Sequence, residues 1–471
     1  MADETSLHRR PTIWLRFLNL ELKEWLISPF PAAVVAALVL TWIIAVKNGP
    51  DSYKIYVVSP KQVSGDPQSD SANNFWNGFD EHKEHLAYFR GVKLTILQAH
   101  EDGGQDGFSP NAQSISSTLA RENDTLLVVL VLPSSRTKEV LPEYLQMANP
   151  PVPTVLTWQT NPNLLPPKLK DTYYPVLQMW PTDEIQADSA ASFPKTDHGI
   201  RPAFWVVEDT SNPTYSQFLA SHFIEEAEKD SDEVLLRSNN LFLPPVQTIG
   251  DLGINWVFFA GGWSDALILA RQLKAITRQL KAKSPKYQCP RLILSEASVG
   301  DQLTSRGKGD VEGVYLTYPM PASQYTSSDK GFTGLGHDGF KIVEGLIEGA
   351  DSGSEDFAAD SGGILYKLRK MLGIRRVADA RNALITYMKT HHEYQLSDNR
   401  KCTFDEEGKR IDGKYYVWKV RKGQFAEADE TPSEQLLPEH TAATQKGGKT
   451  IAPTGTNAPP VKLGMVAREI R

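Results

Sequence analysis

Short apolar runs alternate with longer amphipathic runs along most of this chain. From residue 53 onward, runs of five to eight residues rich in β-branched and aromatic side chains are typical of strands. Thr125–Leu132 is apolar on both faces, which is typical of a central strand in a parallel sheet. The predicted strands are Tyr53–Ser59, Val92–Gln98, Thr125–Leu132, Val152–Thr157, Ala203–Glu208, Glu233–Arg237, Trp256–Ala260 and Pro290–Ser295.

The stretches between these strands have the spacing of helices. Strands that alternate with helices indicate an α/β fold with parallel sheets. Because the strands are too many for one ordinary sheet, the pattern favours two lobes with a sheet each. The predicted helices are Ala72–Ala87, Ala112–Glu122, Thr137–Met147, Thr214–Lys229 and Ser264–Lys281.

One segment near the start of the chain is predicted to cross a membrane. Trp25–Val46 has 22 residues and no charged side chain, and a bilayer-spanning helix needs about 20 residues. Trp25 and Trp42 lie near its two ends, where indoles favour the membrane interface. Its length, and the 24 residues before it, favour an uncleaved anchor over a cleaved signal peptide.

The two ends of the chain differ in composition from its body. Residues 1–24 are predicted to be a juxtamembrane segment, in which Trp14, Leu18 and Leu22 recur at helical spacing. Such a stripe favours a helix along the membrane surface or against a partner helix. Residues 428–471 are rich in Thr, Pro, Ala, Gly and Lys, which predicts a disordered tail.

Charge and cysteine content exclude several classes of protein. The 50 Lys and Arg against 57 Asp and Glu give a net charge of −7, whereas nucleic-acid-binding proteins usually have a basic excess or stripe. Cys289 and Cys402 are too few for a disulfide-dense scaffold or a four-thiolate zinc site. Either they form one disulfide, or they are buried thiols.

Three short motifs bear on catalysis and cofactors. Gly262-Trp263-Ser264-Asp265-Ala266 approaches the nucleophile elbow of serine hydrolases, but Ala266 stands where glycine belongs, so an N-cap at Ser264 is favoured. His391 and His392 are adjacent, so they would point to different helix faces and be poor joint metal ligands. Gly331-x-x-Gly334-x-Gly336 predicts a loop. The sequence therefore predicts no cofactor, no metal ion and no catalytic residue.

Several further motifs follow one another in a characteristic order between residues 53 and 427. They are Pro153–Leu164, Pro181-Thr182-Asp183 with Gln186, Ala203–Asp209 with Tyr215, Phe258–Leu267, Val311–Val314, Phe404–Arg410 and Tyr415–Gly423. In order and spacing they resemble the type I periplasmic binding proteins, the family of branched-chain amino-acid receptors and related receptor ligand-binding regions.

The resemblance implies two parallel-sheet α/β lobes joined by three hinge crossings, here preceded by the transmembrane helix. Lobe 1 would comprise about residues 53–180 and 315–397. Lobe 2 would comprise about residues 181–314 and 398–427.

The resemblance also implies ligand-binding residues at strand-to-helix turns, where open α/β sheets bind ligands. Hydroxyl groups, aromatic walls and a carboxylate suit a small zwitterion. Without a ligand, the hydroxyl residues would be helix caps and the aromatic residues packing groups. The implied residues are Ser134, Ser135, Gln159 and Thr160 in lobe 1, and Tyr215, Trp263 and Glu296 in lobe 2, with Asp265 as an alternative acid.

The chain departs from the family pattern at several of these turns. Ser59-Pro60 and Leu132-Pro133 stand where the family has Gly-Pro. Gln159 is larger than the usual residue of its turn, and Gln178 stands where an arginine is expected. These departures leave three interpretations open: an amino-acid ligand, a different ligand, or a degenerate cleft.

The sequence as a whole predicts a membrane-anchored, non-catalytic solute-binding or sensor protein whose lobes lie in the periplasm or outside the cell. A small polar, amino-acid-like ligand would bind between the lobes, and a membrane protein partner would receive the ligand or the signal. No nucleic acid is predicted as a partner. The alternatives are an interaction scaffold with a degenerate cleft that binds protein and, more remotely, a serine hydrolase at Ser264.

Overall fold

The computed structural model describes residues 39–40, 52–60, 67–100, 116–117, 119–120, 124–165, 175–196, 201–229, 233–239, 246–283, 290–325, 328–352 and 376–428. The predicted juxtamembrane segment, the predicted membrane helix apart from Val39 and Leu40, and the predicted tail beyond residue 428 lie outside these residues. Cys289 lies outside them too, whereas Cys402 is a buried thiol. Among the described helices, none combines the length and apolar character that a membrane crossing requires.

Strands and helices alternate through the described body. The strands are β1 (Ser52–Ser59), β2 (Tyr88–Phe89), β3 (Val92–His100), β4 (Thr125–Leu130), β5 (Thr154–Leu156), β6 (Val176–Pro181), β7 (Ala203–Glu208), β8 (Glu233–Ser238), β9 (Trp256–Ala260), β10 (Arg291–Leu294), β11 (Tyr315–Tyr318), β12 (Glu393–Gln395), β13 (Lys401–Thr403), β14 (Lys409–Arg410), β15 (Tyr416–Arg421) and β16 (Gln424–Glu427). The helices are α1 (Pro67–Asp80), α2 (Ser134–Met147), α3 (Asp183–Ser192), α4 (Pro213–Lys229), α5 (Val246–Asp251), α6 (Trp263–Lys283), α7 (Asp301–Gly307), α8 (Ser328–Ser352) and α9 (Val377–Thr390).

Within the described residues, two seven-stranded sheets form two lobes, as predicted. The order is β14-β6-β5-β4-β1-β3-β2 in lobe 1 and β16-β15-β11-β10-β9-β7-β8 in lobe 2. The central strands of both sheets are parallel. The strand order reverses between β1 and β4 in lobe 1 and between β7 and β9 in lobe 2. Ligands bind outside the carboxyl ends of the strands at such points.

In the part of the chain that the structure describes, three passages join the lobes. After β6, α3 leaves lobe 1 and packs on α4 of lobe 2. After β11, α8 returns to lobe 1 and packs on α1, and the third passage joins β14 to β15. Two predicted lobe boundaries therefore shift. β11 pairs with β10 and belongs to lobe 2, and β14 pairs with β6 and belongs to lobe 1.

All the predicted strands are present, with ends that differ by at most two residues. β4 is buried at every position, which agrees with its apolar pattern on both faces. The strands β6 and β11 and the helices α8 and α9 were not predicted from the sequence. The predicted helix Ala112–Glu122 lies mostly outside the described residues.

The predicted glycine loop at Gly331–Gly336 is wrong, because these residues lie inside α8. Its glycines serve helix packing. A Cβ on Gly336 would lie 2.1 Å from the Phe75 carbonyl oxygen of α1, and a Cβ on Gly78 would lie 2.0 Å from the Thr333 carbonyl oxygen of α8. The two helices therefore approach each other more closely than any other residue at these positions would permit.

Candidate functional site

Loops at the carboxyl ends of the central strands bring the two lobes into contact. Asn161 follows β5, and its Nδ2 donates to the Thr214 carbonyl oxygen at the start of α4, at 2.6 Å. The neighbouring Thr160 is buried, and its Oγ1 lies 3.5 Å from Oε1 of Glu296 in lobe 2. The predicted cleft is therefore bridged by direct contacts at this edge.

The Glu296 carboxylate is buried where the lobes meet. It follows β10, and Tyr215 from α4 donates its hydroxyl to Oε2 of Glu296 at 2.6 Å. Burial raises the pKa of Glu296 to about 7, and the Tyr215 and Thr160 hydroxyls offset part of that effect. The structure thus brings together three of the predicted ligand-binding residues, one from lobe 1 and two from lobe 2.

Asp183 is a second buried carboxylate beside Glu296, and the sequence did not place it among the ligand-binding residues. It is the first residue of α3, and its backbone N–H donates to the Thr160 carbonyl oxygen at 2.8 Å. Neither of its carboxylate oxygens makes a hydrogen bond within the described part of the chain. Burial, and then the Glu296 charge, raises the pKa of Asp183 well above its usual range.

Tyrosines and a glutamine surround the two acids. Burial and the nearby Glu296 charge raise the pKa values of Tyr318, at the end of β11, and of Tyr415. Gln186 on α3 donates from Nε2 to Oγ1 of Thr317 at 2.7 Å, while its Oε1 has no hydrogen-bond partner among the described residues. An aromatic residue at the end of a strand is the sequence signal that could have identified Tyr318 as a site residue. It was missed because β11 itself was not predicted.

Gln159 and Gln178 brace the loop that carries Thr160. The Nε2 of Gln159 donates to the Leu132 carbonyl oxygen at 2.6 Å and to the Leu130 carbonyl oxygen at 3.2 Å. The Nε2 of Gln178 donates to the backbone carbonyl oxygen of Gln159 at 2.7 Å. Both departures from the family pattern thus stabilise the turn. The Gln159 amide nitrogen is bonded inside lobe 1, and its role in ligand binding stays a prediction.

Ser134 and Ser135 are the first residues of α2, at the carboxyl end of β4. Ser134 is buried and Ser135 is half-buried. The N-cap residue is Pro133, so neither hydroxyl caps the helix. Although α2 and α4 contact each other across the lobes, the described contacts do not join either serine to the Glu296 carboxylate. Their role in ligand binding stays a prediction.

Trp263 and Asp265 lie at the start of α6 in lobe 2. The Arg306 guanidinium lies over the Trp263 ring, 5.2 Å from its centroid, in a cation–π contact. Burial, and then the Asp209 charge, raises the pKa of Asp265. Asp209 also accepts the Gly262 N–H at 3.1 Å. These contacts hold the turn after β9. Within the described residues, neither the Trp263 nor the Asp265 side chain contacts Glu296.

Within the described residues, the surroundings of Ser264 are not those of a catalytic nucleophile. It is exposed, and α6 begins one residue before it, so the predicted N-cap position is wrong. No histidine of the described ranges contacts it. The nucleophile-elbow interpretation therefore has no support in the structure.

The two-lobed body superposes on solved substrate-binding proteins of ABC transporters. The leucine-binding protein LivK from Thermotoga maritima gives a TM-score of 0.58 at 17% identity, over 80% of this chain and 97% of that one. A solute-binding protein from R. palustris in complex with 4-hydroxybenzoate gives 0.54 at 17% identity, over 80% and 96%. LivJ from Streptococcus pneumoniae in complex with isoleucine gives 0.54 at 11% identity, over 79% and 97%.

These likenesses define the class of the fold, that of the type I periplasmic binding proteins. No family model matches the sequence, and no curated protein matches it. These three solved structures are all named as binding proteins.

Proposed function

We propose that this chain is a solute-binding or sensor protein that closes its lobes on a small ligand with a cationic group, such as an ammonium. The observation that carries the proposal is the buried Glu296 carboxylate of lobe 2, which meets Thr160 of lobe 1 beside the second acid, Asp183. Neither acid has an ion-pair partner among the described residues. A ligand cation there would compensate both acids and contact both lobes, so it would favour the closed state.

The same two acids discriminate between classes of ligand. Leucine, isoleucine and 4-hydroxybenzoate are named for the solved structures that share the fold. An ionised carboxylate at either position would repel a benzoate-like anion and attract an ammonium. Tyr215, Tyr318 and Tyr415 give the site aromatic walls that suit an apolar portion of the ligand. The ligand that the site favours is therefore amino-acid-like or an amine.

A thermal-unfolding screen of the detergent-solubilised full chain tests this proposal. The panel contains amino acids, amines, amides, sugars, nucleotide-derived molecules and benzoates. A ligand present at 100 times its Kd stabilises by about 2.7 kcal/mol, and the ligands that stabilise are expected to carry an ammonium. Tyr215→Phe removes the hydroxyl that orients Glu296 and is expected to weaken binding about tenfold. Tyr88→Phe, at an exposed tyrosine of β2, is the matched control.

An interaction scaffold is the second candidate function. The observation that favours it is that protein groups themselves bridge the lobes, through the Asn161 contact to Thr214 and the Tyr215 hydroxyl on Glu296. If no compound of the panel stabilises the protein against thermal unfolding, this alternative is supported. The cationic-ligand proposal would be contradicted if benzoates gave the largest stabilisation of the panel. It would also be contradicted if Tyr215→Phe left the ligand affinity unchanged.

The proposed function includes a membrane anchor at Trp25–Val46, with the lobes outside the cytoplasm and beside a membrane protein partner that receives the ligand or the signal. Its support is the uncharged length of the segment. We expect the full chain to stay with membranes after a carbonate wash. Val35→Arg with Leu38→Arg is expected to release it, since each arginine costs about 2.5–3.5 kcal/mol at the helix centre. Val35→Leu with Leu38→Ile is the control, and a wild-type chain found in the wash would contradict the anchor.

A further inference from the structure

A cluster of histidines lies in lobe 1 where the end of α1 packs against α8. Glu81 and His82 follow α1, and His337 lies on α8. The Nε2 of His337 is 3.0 Å from Oε2 of Glu81, and the ring centroids of His82 and His337 are 4.9 Å apart. One potential ligand atom from each of the three residues lies within 4.8 Å of the other two.

We propose that Glu81, His82 and His337 bind one Zn²⁺ ion, with water in the fourth position. Imidazole nitrogen and carboxylate oxygen are common zinc ligands, at about 2.0–2.2 Å from a tetrahedral ion. Such bond lengths place neighbouring ligand atoms about 3.3 Å apart. The separation of 3.0 Å between Glu81 and His337 is close to this value, and a rotation of the His82 side chain completes the set. All three residues are partly or fully exposed, so the ion reaches them from solvent.

The surroundings of the cluster favour capture of a metal cation. Glu344 adds a second acid on the same side, with Oε1 3.7 Å from Nδ1 of His85. The Lys341 ammonium opposes a cation, but Glu344 also pairs with it.

The proposed zinc site is separate from the ligand site. Its residues come from the turn after α1 and from α8, all within lobe 1, whereas Glu296 contacts residues of both lobes. A bound ion would tie α1 to α8 close to the contact between Gly78 and Thr333. It would therefore stabilise lobe 1 whether or not a solute is bound.

Calorimetric titration of the metal-free full chain with ZnCl₂ tests the site. We expect one ion per chain and an affinity that falls at least tenfold in His82→Gln and in His337→Gln. His391→Gln, at an exposed histidine after α9, is the matched control and should bind zinc like the wild type. Cobalt gives a second readout, because a tetrahedral Co²⁺ site absorbs visible light, and this absorption should be lost in His337→Gln.

The proposal is overturned by a wild-type chain that takes up no zinc to saturation, by affinity that survives both substitutions, or by an equal loss in His391→Gln. Unfolding curves without zinc check that the variants fold. If His337→Gln unfolds early, Glu81→Gln repeats the affinity test, because the Glu81 side chain is mostly exposed and its loss does not disturb packing.

Discussion

Replacing Glu296 with glutamine is expected to stabilise the ligand-free protein at pH 8 and to abolish its binding of cationic ligands. Burial raises the pKa of Glu296 to about 7, so the folded state holds a costly charge at pH 8. Glutamine keeps the size of the side chain, and its carbonyl oxygen can still accept the Tyr215 hydroxyl. It carries no charge at any pH, and so it cannot attract an ammonium.

The dependence of this effect on pH follows from the protons that each state binds. The pKa of an ordinary glutamate is 4.5, so between pH 4.5 and about 7 the folded protein keeps a proton that the unfolded chain releases. Stability contributed by Glu296 is therefore present below pH 4.5 and falls as the pH rises to about 7. The difference between the two pKa values corresponds to about 3 kcal/mol. Glu296→Gln should recover most of this at pH 8 and little at pH 5.

Urea denaturation at pH 5 and pH 8 measures the predicted gain in stability. Glu348→Gln, at an exposed glutamate of α8, is the matched control and should change stability at neither pH. A gain for Glu296→Gln that is equal at both pH values would contradict the predicted titration.

The predicted loss of cationic-ligand binding in Glu296→Gln is tested by measuring ligand affinity. With the ligand found in the thermal screen, Glu296→Gln should lower the affinity at least a hundredfold, because it leaves a buried cation without its carboxylate. Wild-type affinity should be about tenfold weaker at pH 6 than at pH 8, because Glu296 is mostly protonated at pH 6. An affinity retained by the variant would rule out Glu296 as the partner of the cation.

The sequence predicts the sheet strands and part of the site for one physical reason. Apolar runs such as Trp256–Ala260 are too short and too β-branched or aromatic for helices, and the carboxyl ends of parallel strands share one edge. Residues that follow separate strands, such as Thr160 and Glu296, could therefore be placed near each other without a structure. Their side-chain contacts required the relative position of the two lobes.

Other features depend on directions and distances that no sequence pattern specifies. Gln159 follows its strand like Thr160, yet its amide is turned towards the Leu132 carbonyl oxygen. In the sequence Asp183 stands out only as part of a motif, and its burial results from the packing of α3 against lobe 2. His82 and His337 are far apart in the sequence and meet only because α8 packs on α1.

Alanine substitutions at two glycines of α8, Gly336 and Gly334, are expected to change the free energy of unfolding in opposite directions. Gly336→Ala is expected to lower the free energy of unfolding by about 3 kcal/mol. Its Cβ would lie 2.1 Å from the Phe75 carbonyl oxygen and 2.8 Å from the Phe79 nitrogen, both in the α1 backbone, which cannot rotate away. The helices must separate and lose packing such as the contact of Phe79 with Phe340, whose ring centroids are 5.5 Å apart.

Gly334→Ala is the matched control for this prediction, because it lies in the same helix and its Cβ would meet nothing within 4 Å. It should raise the free energy of unfolding by about 0.5–1 kcal/mol, since alanine loses less backbone entropy than glycine in a helix. Urea denaturation of both variants measures the difference. If both substitutions stabilise the protein, α1 and α8 do not approach as closely as the structure shows. If both destabilise it, glycine at 334 has a role that the described contacts do not explain.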